Sequence, residues 1–396
     1  MNAESSLQLP YNGAMLRWAR DWRGRTIDEA AERLKVDPNK VRSWEDGTDT
    51  PTVRQARDLA DYYDRAFLEF FYDERPAIIE SGLVPDFRVT QDAIDPHNNR
   101  ELLAIQHWAE AQRLNAIDLF ESLGDEIPPF PEALKASLND DVEAVAIATR
   151  DAFDFSIEQQ RRMTAVERKR LPDLLREAME RVGVLVLRKN ELANYDVSGL
   201  CIVTFPLPII IFAAEAPGRQ AFTMMHEFAH IVLRESAISG PEYSKESRTH
   251  GLKVEQWCNR FASAFLIPKD ALAELRPLPP KPAAIIDDAT LSAVAASFKV
   301  SAHAMLIRLV QLGYVDPAYY WTVKLPEFRR EERLWKGKGR SKYWASRVVN
   351  TLGNMYTGLV LEAWGTGKIP FHQAVEYMGL PNSSHLGAIR QEFGGA

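Results

Sequence analysis

The 396-residue chain has only two cysteines, Cys201 and Cys258. Two thiols cannot build a disulfide framework, so an apolar core must hold the fold, and a reducing compartment is expected. There is no excess of positive charge: 48 Lys and Arg stand against 55 Asp and Glu, a net −7. That excludes a global basic field for nucleic acid or an anionic membrane, so any DNA contact has to come from a local arrangement. No apolar run approaches the ~20 residues that span a bilayer, and no membrane partner is expected. The stretch Met1–Pro10 lacks the basic-then-apolar pattern of a secretory signal, and a cytoplasmic location is the expectation.

What is present suits a soluble globular protein: 46% hydrophobic and 26% charged residues. The length calls for two to three domains or more. The most informative stretch is Phe222–Leu233, which contains His226-Glu227-Phe228-Ala229-His230 in an apolar run without Gly or Pro. On a helix, residues four apart stand one above the other. His226 and His230 can therefore grip one divalent ion, with Glu227 beside it as a base for water, a pattern that points to zinc hydrolysis. Phe222, Met225, Ala229 and Leu233 would anchor the helix.

Catalytic zinc takes three protein ligands and leaves a fourth position open. Glu255, on the next helical segment, is the preferred third ligand, with Asn259 one turn further as a hydrogen-bond partner for a histidine ring. Glu235, Glu242, Glu246 and His250 are rivals for the ligand role. Tyr243, His250 and Arg260 are candidates to stabilise a developing oxyanion. Cys258, three residues beyond Glu255, reads as a buried inert thiol.

Around this motif the hydrophobic period changes. Val182–Leu187, Val197–Phe205 and Pro208–Ala213 read as strands, the last either a plain core strand or a candidate to bind an extended peptide by edge pairing. Helices are expected over Arg219–Arg234 and Leu252–Leu266, and as a pair over Thr290–Gly313. Residues 324–347 are locally basic and aromatic, a solvated linker with a few packed aromatics or a contact for nucleic acid or an acidic partner.

Near the N-terminus, residues 14–72 read as five short helices. Thr26-Ile-Asp-Glu29 has the capping-box form and opens a helix to about Leu34. Asp37 caps the next, with Pro38 at its first position and Gly47 as its stop. Ala30, Leu34, Val36, Val41 and Trp44 are the candidate core. Two short helices joined by a tight turn form a helix-turn-helix pattern.

These residues carry two resemblances. His226–His230 preceded by Arg219–Thr223, and Glu255–Ala262 followed by Leu266-Ile-Pro268, resemble the ImmA/IrrE family of zinc metallopeptidases; Pro85-Asp-Phe-Arg88 resembles a short motif found upstream of such domains. Thr26–Ala31 and Val41–Gly47 resemble an XRE-type helix-turn-helix. The first resemblance implies a gluzincin-like site with zinc on His226, His230 and Glu255, Glu227 as catalytic base, and Asn259 behind the ligands. Cys258 departs from the small Ala usual there.

The second resemblance implies DNA binding through the first turns of the recognition helix. Asn39 and Ser43 would meet base edges, and Lys40 and Arg42 phosphate or guanine. Two positions depart from that family's pattern: Pro38, where a reading side chain is usual, and Ile27, where a polar phosphate anchor is usual. Residues 14–75 carry 12 Lys and Arg against 14 Asp and Glu, so the domain is not basic overall. Arg17, Arg20, Arg23 and Arg25 are the candidates for one positive edge.

The fold class expected is α+β, predominantly helical. It divides into an N-terminal helix-turn-helix domain over 1–75, a connector and helical segment over 76–168, a central zincin-like domain with a small sheet over 169–325, and a C-terminal helical domain over 326–396. The partners implied are operator or promoter DNA and a protein, either toxin or repressor, with a homodimer compatible with the helix-turn-helix. The resemblance implies a regulator whose peptidase acts on that protein, as in antitoxins and mobile-element switches. The alternative is a non-catalytic binding protein in which the zincin scaffold sequesters a toxin and the helix-turn-helix mediates protein contacts.

Overall fold

The computed structural model describes residues 11–63, 65, 67–72, 100–195, 197–235, 237–239, 250–275, 278, 285–334, 344–380 and 382–394. Pro85–Arg88, most of the connector after residue 76, the segment with Glu242, Tyr243 and Glu246, and residues 335–343 of the basic-aromatic stretch lie outside them. The chain divides into two compact units, one ending at Gln106 and the other running from His107 to the C-terminus. Among the described residues, no single helix is long and apolar enough to cross a membrane.

The first unit holds α1 (Gly13–Trp22), α2 (Ile27–Leu34), α3 (Pro38–Glu45) and α4 (Val53–Tyr63). The fifth expected helix is instead a 3₁₀ turn, Phe67–Phe71; five residues rich in aromatics pack as a short tight turn rather than a full helix. Thr26 and Glu29 cap α2 reciprocally. Lys35, left-handed at φ 56°, ends α2, and Asp37 caps α3 two residues later. Ala30, Val41 and Trp44 lie in the core with Leu16, Leu59 and Tyr63, while Leu34 and Val36 pack at its margin. A methyl on Gly13 would fall 2.6 Å from the carbonyl oxygens of Trp44 and Glu45, so α1 starts against the end of α3.

The helix α5 (Arg100–Leu123) leads into the second unit. There α6 (Val142–Ala152), α7 (Ile157–Arg162) and α8 (Leu171–Arg181) precede the strands β1 (Leu185–Arg188), β2 (Gly199–Ile202) and β3 (Ile209–Phe212). Next come α9 (Pro217–Leu233), β4 (Ala237–Ser239), α10 (His250–Leu266), α11 (Lys269–Ala273), α12 (Asp288–Ser297) and α13 (Ala302–Gln311). The short α14 (Pro317–Tyr319) continues through a π-helical turn into α15 (Leu325–Leu334). The last elements are α16 (Trp344–Leu352), α17 (Asn354–Gly365), α18 (Phe371–Tyr377) and α19 (His385–Gly394).

The sheet order is β1-β3-β2-β4. β1 runs parallel to β3, while β2 is antiparallel to both β3 and β4. β3 is therefore a central strand, and the edge-pairing role expected of Pro208–Ala213 is not open to it. Its run of Ile209, Ile210, Ile211 and Phe212 is buried throughout, the pattern of a strand covered on both faces.

α9 packs on β2 and β3 and beside α10. Phe228 is its main apolar anchor, edge-on to Phe153 at 5.0 Å and stacked on Phe261 of α10 at 6.4 Å. The C-terminal end of α10 is buried, so its last carbonyls need donors. Arg150 Nη1 donates to Phe265 O at 2.6 Å, Gln160 Nε2 to Leu266 O at 2.9 Å, and Arg308 Nε to Ile267 O at 2.9 Å. Arg308 is held in turn by the Glu143 carboxylate at 2.7 Å from both oxygens. Burial pushes Arg150 down to about 10, which leaves it charged at neutral pH.

In the first unit, Arg20 Nε and Nη2 reach the Glu45 carboxylate at 2.6 and 3.0 Å, both groups buried. Removing one partner strands the other charge in a low-dielectric core. Arg20→Ala is expected to destabilise this unit by roughly 3 kcal/mol, read from its urea-unfolding transition; a change below about 0.5 kcal/mol, the ordinary range for surface substitutions, contradicts the packing described.

Candidate metal centre and nucleic-acid interface

Pro217 opens α9 at a position where its missing N–H costs no helical bond, and Arg234, left-handed at φ 63°, closes it. Between them the helix runs unbroken, so His226 and His230 share one face. Both are buried. Glu255 comes from α10, whose side is fixed against α9 by Phe228 and Phe261.

The three side chains converge. His226 Nε2 and His230 Nε2 are 3.2 Å apart; Glu255 Oε2 lies 3.3 Å from the first, and Oε1 3.2 Å from the second. Four donors on a tetrahedron with Zn–N and Zn–O bonds of about 2.0–2.1 Å stand about 3.3–3.4 Å from one another. The 3.2 Å between the two imidazole nitrogens is close to one edge of such a tetrahedron, the carboxylate lies within reach of both, and two nitrogens and a carboxylate are a donor set that catalytic zinc sites use. Among the described residues, this group is the one able to hold a metal ion.

Asn259 stands one turn beyond Glu255. Its Oδ1 is 3.1 Å from His226 Nδ1. With the Nδ1 proton donated there, the lone pair is left on Nε2, facing the cluster. The charges of the trio are strongly coupled. Burial disfavours a proton on His226, but the Glu255 carboxylate, with help from Glu227, outweighs it and raises His226 above an ordinary histidine. His230 shifts down, because burial outweighs what Glu255 supplies. Burial would raise Glu255, yet the two imidazoles hold it well below the usual carboxylate range.

Glu227 is wholly buried, its carboxylate lying against β2 at Gly199. Neither Gly199 nor Glu215 stood out in the sequence, although an isolated glycine in a strand pattern marks a close approach. Glu215 binds Ser198 Oγ at 3.0 Å, Thr223 Oγ1 at 2.9 Å and Arg219 Nε at 2.7 Å. Of the rival ligands, Glu235 follows α9 outside the trio, and Glu242 and Glu246 fall outside the described residues; His250 begins α10. Arg260 is exposed, with its charge felt at Arg308. Tyr243 is outside the described residues. Burial pushes the Cys258 thiol well above its ordinary range, as suits an inert core side chain.

In the first unit, Asn39, Lys40 and Arg42 are exposed on α3, and Ser43 is half-buried. Asn39 Oδ1 accepts from Arg42 Nη1 at 2.9 Å, and Lys40 Nζ is 3.4 Å from Asp49 Oδ2. The Ser43 hydroxyl donates to Lys40 O at 2.7 Å. The expected positive edge is reduced by one member: Arg20 points inward to Glu45. Arg17 lies 3.5 Å from Glu45 and pairs with Asp46 as well. Charge counting along α1 could not show this, since the partner is 25 residues away.

Metal binding needs unprotonated imidazoles. With His226 favouring its proton more than an ordinary histidine, zinc loading should displace a proton, and affinity should fall as pH falls through the His226 range. Calorimetry in buffers of different ionisation enthalpy reads the released proton; proton-independent binding contradicts the assigned ligands. Asn259→Ala should weaken zinc binding by about 10–100-fold.

Residues 179–310 match the family model of the IrrE N-terminal-like domain, a peptidase family, and residues 13–66 match a helix-turn-helix domain. No curated protein and no solved structure matches the chain significantly. The first match spans the sheet, α9 and α10, and therefore all three members of the cluster. The chain carries an XRE-like helix-turn-helix domain followed by an IrrE-like peptidase domain, an arrangement that supports a DNA-binding regulator with a peptidase-like domain.

Proposed function

We propose that this protein is a cytoplasmic regulator whose second unit is a zinc metalloendopeptidase acting on a protein partner, a repressor or a toxin. The observation that carries the proposal is the convergence of His226 Nε2 and His230 Nε2, 3.2 Å apart, with the Glu255 carboxylate, whose Oε2 lies 3.3 Å from the first and Oε1 3.2 Å from the second, and with buried Glu227 as the next residue after His226 on the same helix. Zinc on these three groups would polarise a scissile carbonyl and acidify a water. Glu227 takes the proton of the attacking water and returns it to the leaving amine. Asn259 holds His226 in the tautomer that leaves Nε2 free. The buried setting strengthens each of these interactions. The role as an antitoxin or mobile-element switch rests on the resemblance of the fused domains.

The first unit brings the regulator to DNA. Exposed Asn39, Lys40 and Arg42 on α3 suit base and phosphate contacts in the major groove, with Ser43 behind them. The unit is not basic overall, so affinity rests on few phosphate contacts and a shallow salt dependence is expected.

The test uses the full-length zinc-loaded protein and its Glu227→Gln variant. Each is incubated with the product of the neighbouring gene and with a proteome-derived peptide library, read by mass spectrometry. The wild type should cleave, and the variant should lose roughly 10²–10⁴-fold in rate while keeping its zinc. Binding of the partner by both proteins, with no cleavage by either, supports the scaffold reading instead. For DNA, the mobility shift on the protein's own promoter should weaken with Asn39→Ala and with Arg42→Ala; an unchanged shift for both rejects α3 as the reading helix.

A further inference from the structure

Gly199 is the first residue of β2, where it pairs with Phe212 of β3 and Ser239 of β4. Its φ lies outside the left-handed region, so backbone conformation does not demand glycine there. Space does. A Cβ at 199 would stand 2.4 Å from Glu227 Oε1, 2.7 Å from its Cγ and 2.8 Å from its Cδ. The volume that any other residue would fill with a side chain is filled by the end of Glu227.

Neither partner can yield by a rigid shift. The strand is held on both edges by its ladder. Its preceding residue is tied to α9: Ser198 Oγ donates to Glu215, and the same carboxylate accepts from Thr223 and pairs with Arg219. Arg219, Thr223 and Glu227 are spaced by four, so they form one face of α9, and the tie sits one and two turns before Glu227. His226 and His230 lie beside that row on the same helix, and α10 holds them through Glu255 and Asn259. The movable part of the contact is the carboxylate itself.

From this we infer that Gly199 is a positioning residue for Glu227: the missing side chain sets where the carboxylate sits beside the His226–His230–Glu255 cluster. The Ser198–Glu215–Thr223 tie holds the strand at that distance. The inference builds on the peptidase reading but is tested separately from it. A methyl at 199 would move the carboxylate rather than the strand, leaving the three ligands where they are.

The experiment compares four full-length zinc-loaded proteins: wild type, Gly199→Ala, Glu227→Ala and the double variant. Zinc content by elemental analysis, melting temperature by calorimetry and cleavage of the peptide library are measured for each. Gly199→Ala should keep its zinc, lower the melting temperature by on the order of 5 °C as an overpacked site does, and lose about 100-fold in cleavage, the scale of a 1 Å misplacement. In the Glu227→Ala background, where the space is free, the same substitution should cost no more than about 1 °C. That thermal coupling supports the contact even if the wild type cleaves nothing, a result that would defeat the peptidase reading alone. An equal melting cost in both backgrounds, or full cleavage by Gly199→Ala, overturns the inference.

Discussion

Two imidazole nitrogens 3.2 Å apart, each within 3.2–3.3 Å of an oxygen of one carboxylate, are an unfavourable arrangement inside a protein unless something sits among them. Burial costs each of the three its hydration, and the lone pairs repel. The Glu255 carboxylate relieves part of this by favouring a proton on His226, while burial keeps His230 low. A divalent ion would relieve more, and the cluster is one that could hold it. Much of the second unit serves to hold this cluster closed.

The holding is done from two sides. α9 is fixed by Phe228 in the core and by its face on β2 and β3. α10 is fixed at its far end, where Arg150, Gln160 and Arg308 satisfy carbonyls that would otherwise be buried without donors. Glu255 sits in the first half of α10, about three turns from that anchor, so its reach toward the histidines is set by α10 as a rigid rod. The aromatic contact of Phe228 with Phe261 fixes the spacing of the two rods midway. Metal site and core are thus one structure.

The helix α9 and its shared histidine face were legible because histidines four apart, in an unbroken apolar run without Gly or Pro, fall one above the other. Glu255 and Asn259 were legible through the spacing of a second helix, and Thr26, Glu29, Asp37 and Gly47 outlined the helix-turn-helix by their capping chemistry. Contacts that depend on distant partners were not legible. β4 is a three-residue strand whose identity comes from its pairing with β2. β3 read equally as an edge for a peptide or as a plain core strand, and its four consecutive buried residues are those of a central strand. Arg20 counted as surface charge until Glu45 was found beside it. Gly199 carried a signal, a glycine in a strand, but which side chain fills the space is a property of the packed fold.

The most direct measurement is zinc K-edge X-ray absorption on the purified full-length protein. The account predicts a single site of four nitrogen and oxygen neighbours at about 2.0–2.1 Å, with a two-imidazole scattering pattern and no sulfur. A sulfur shell near 2.3 Å, or a protein that takes up no zinc while folded, would contradict it.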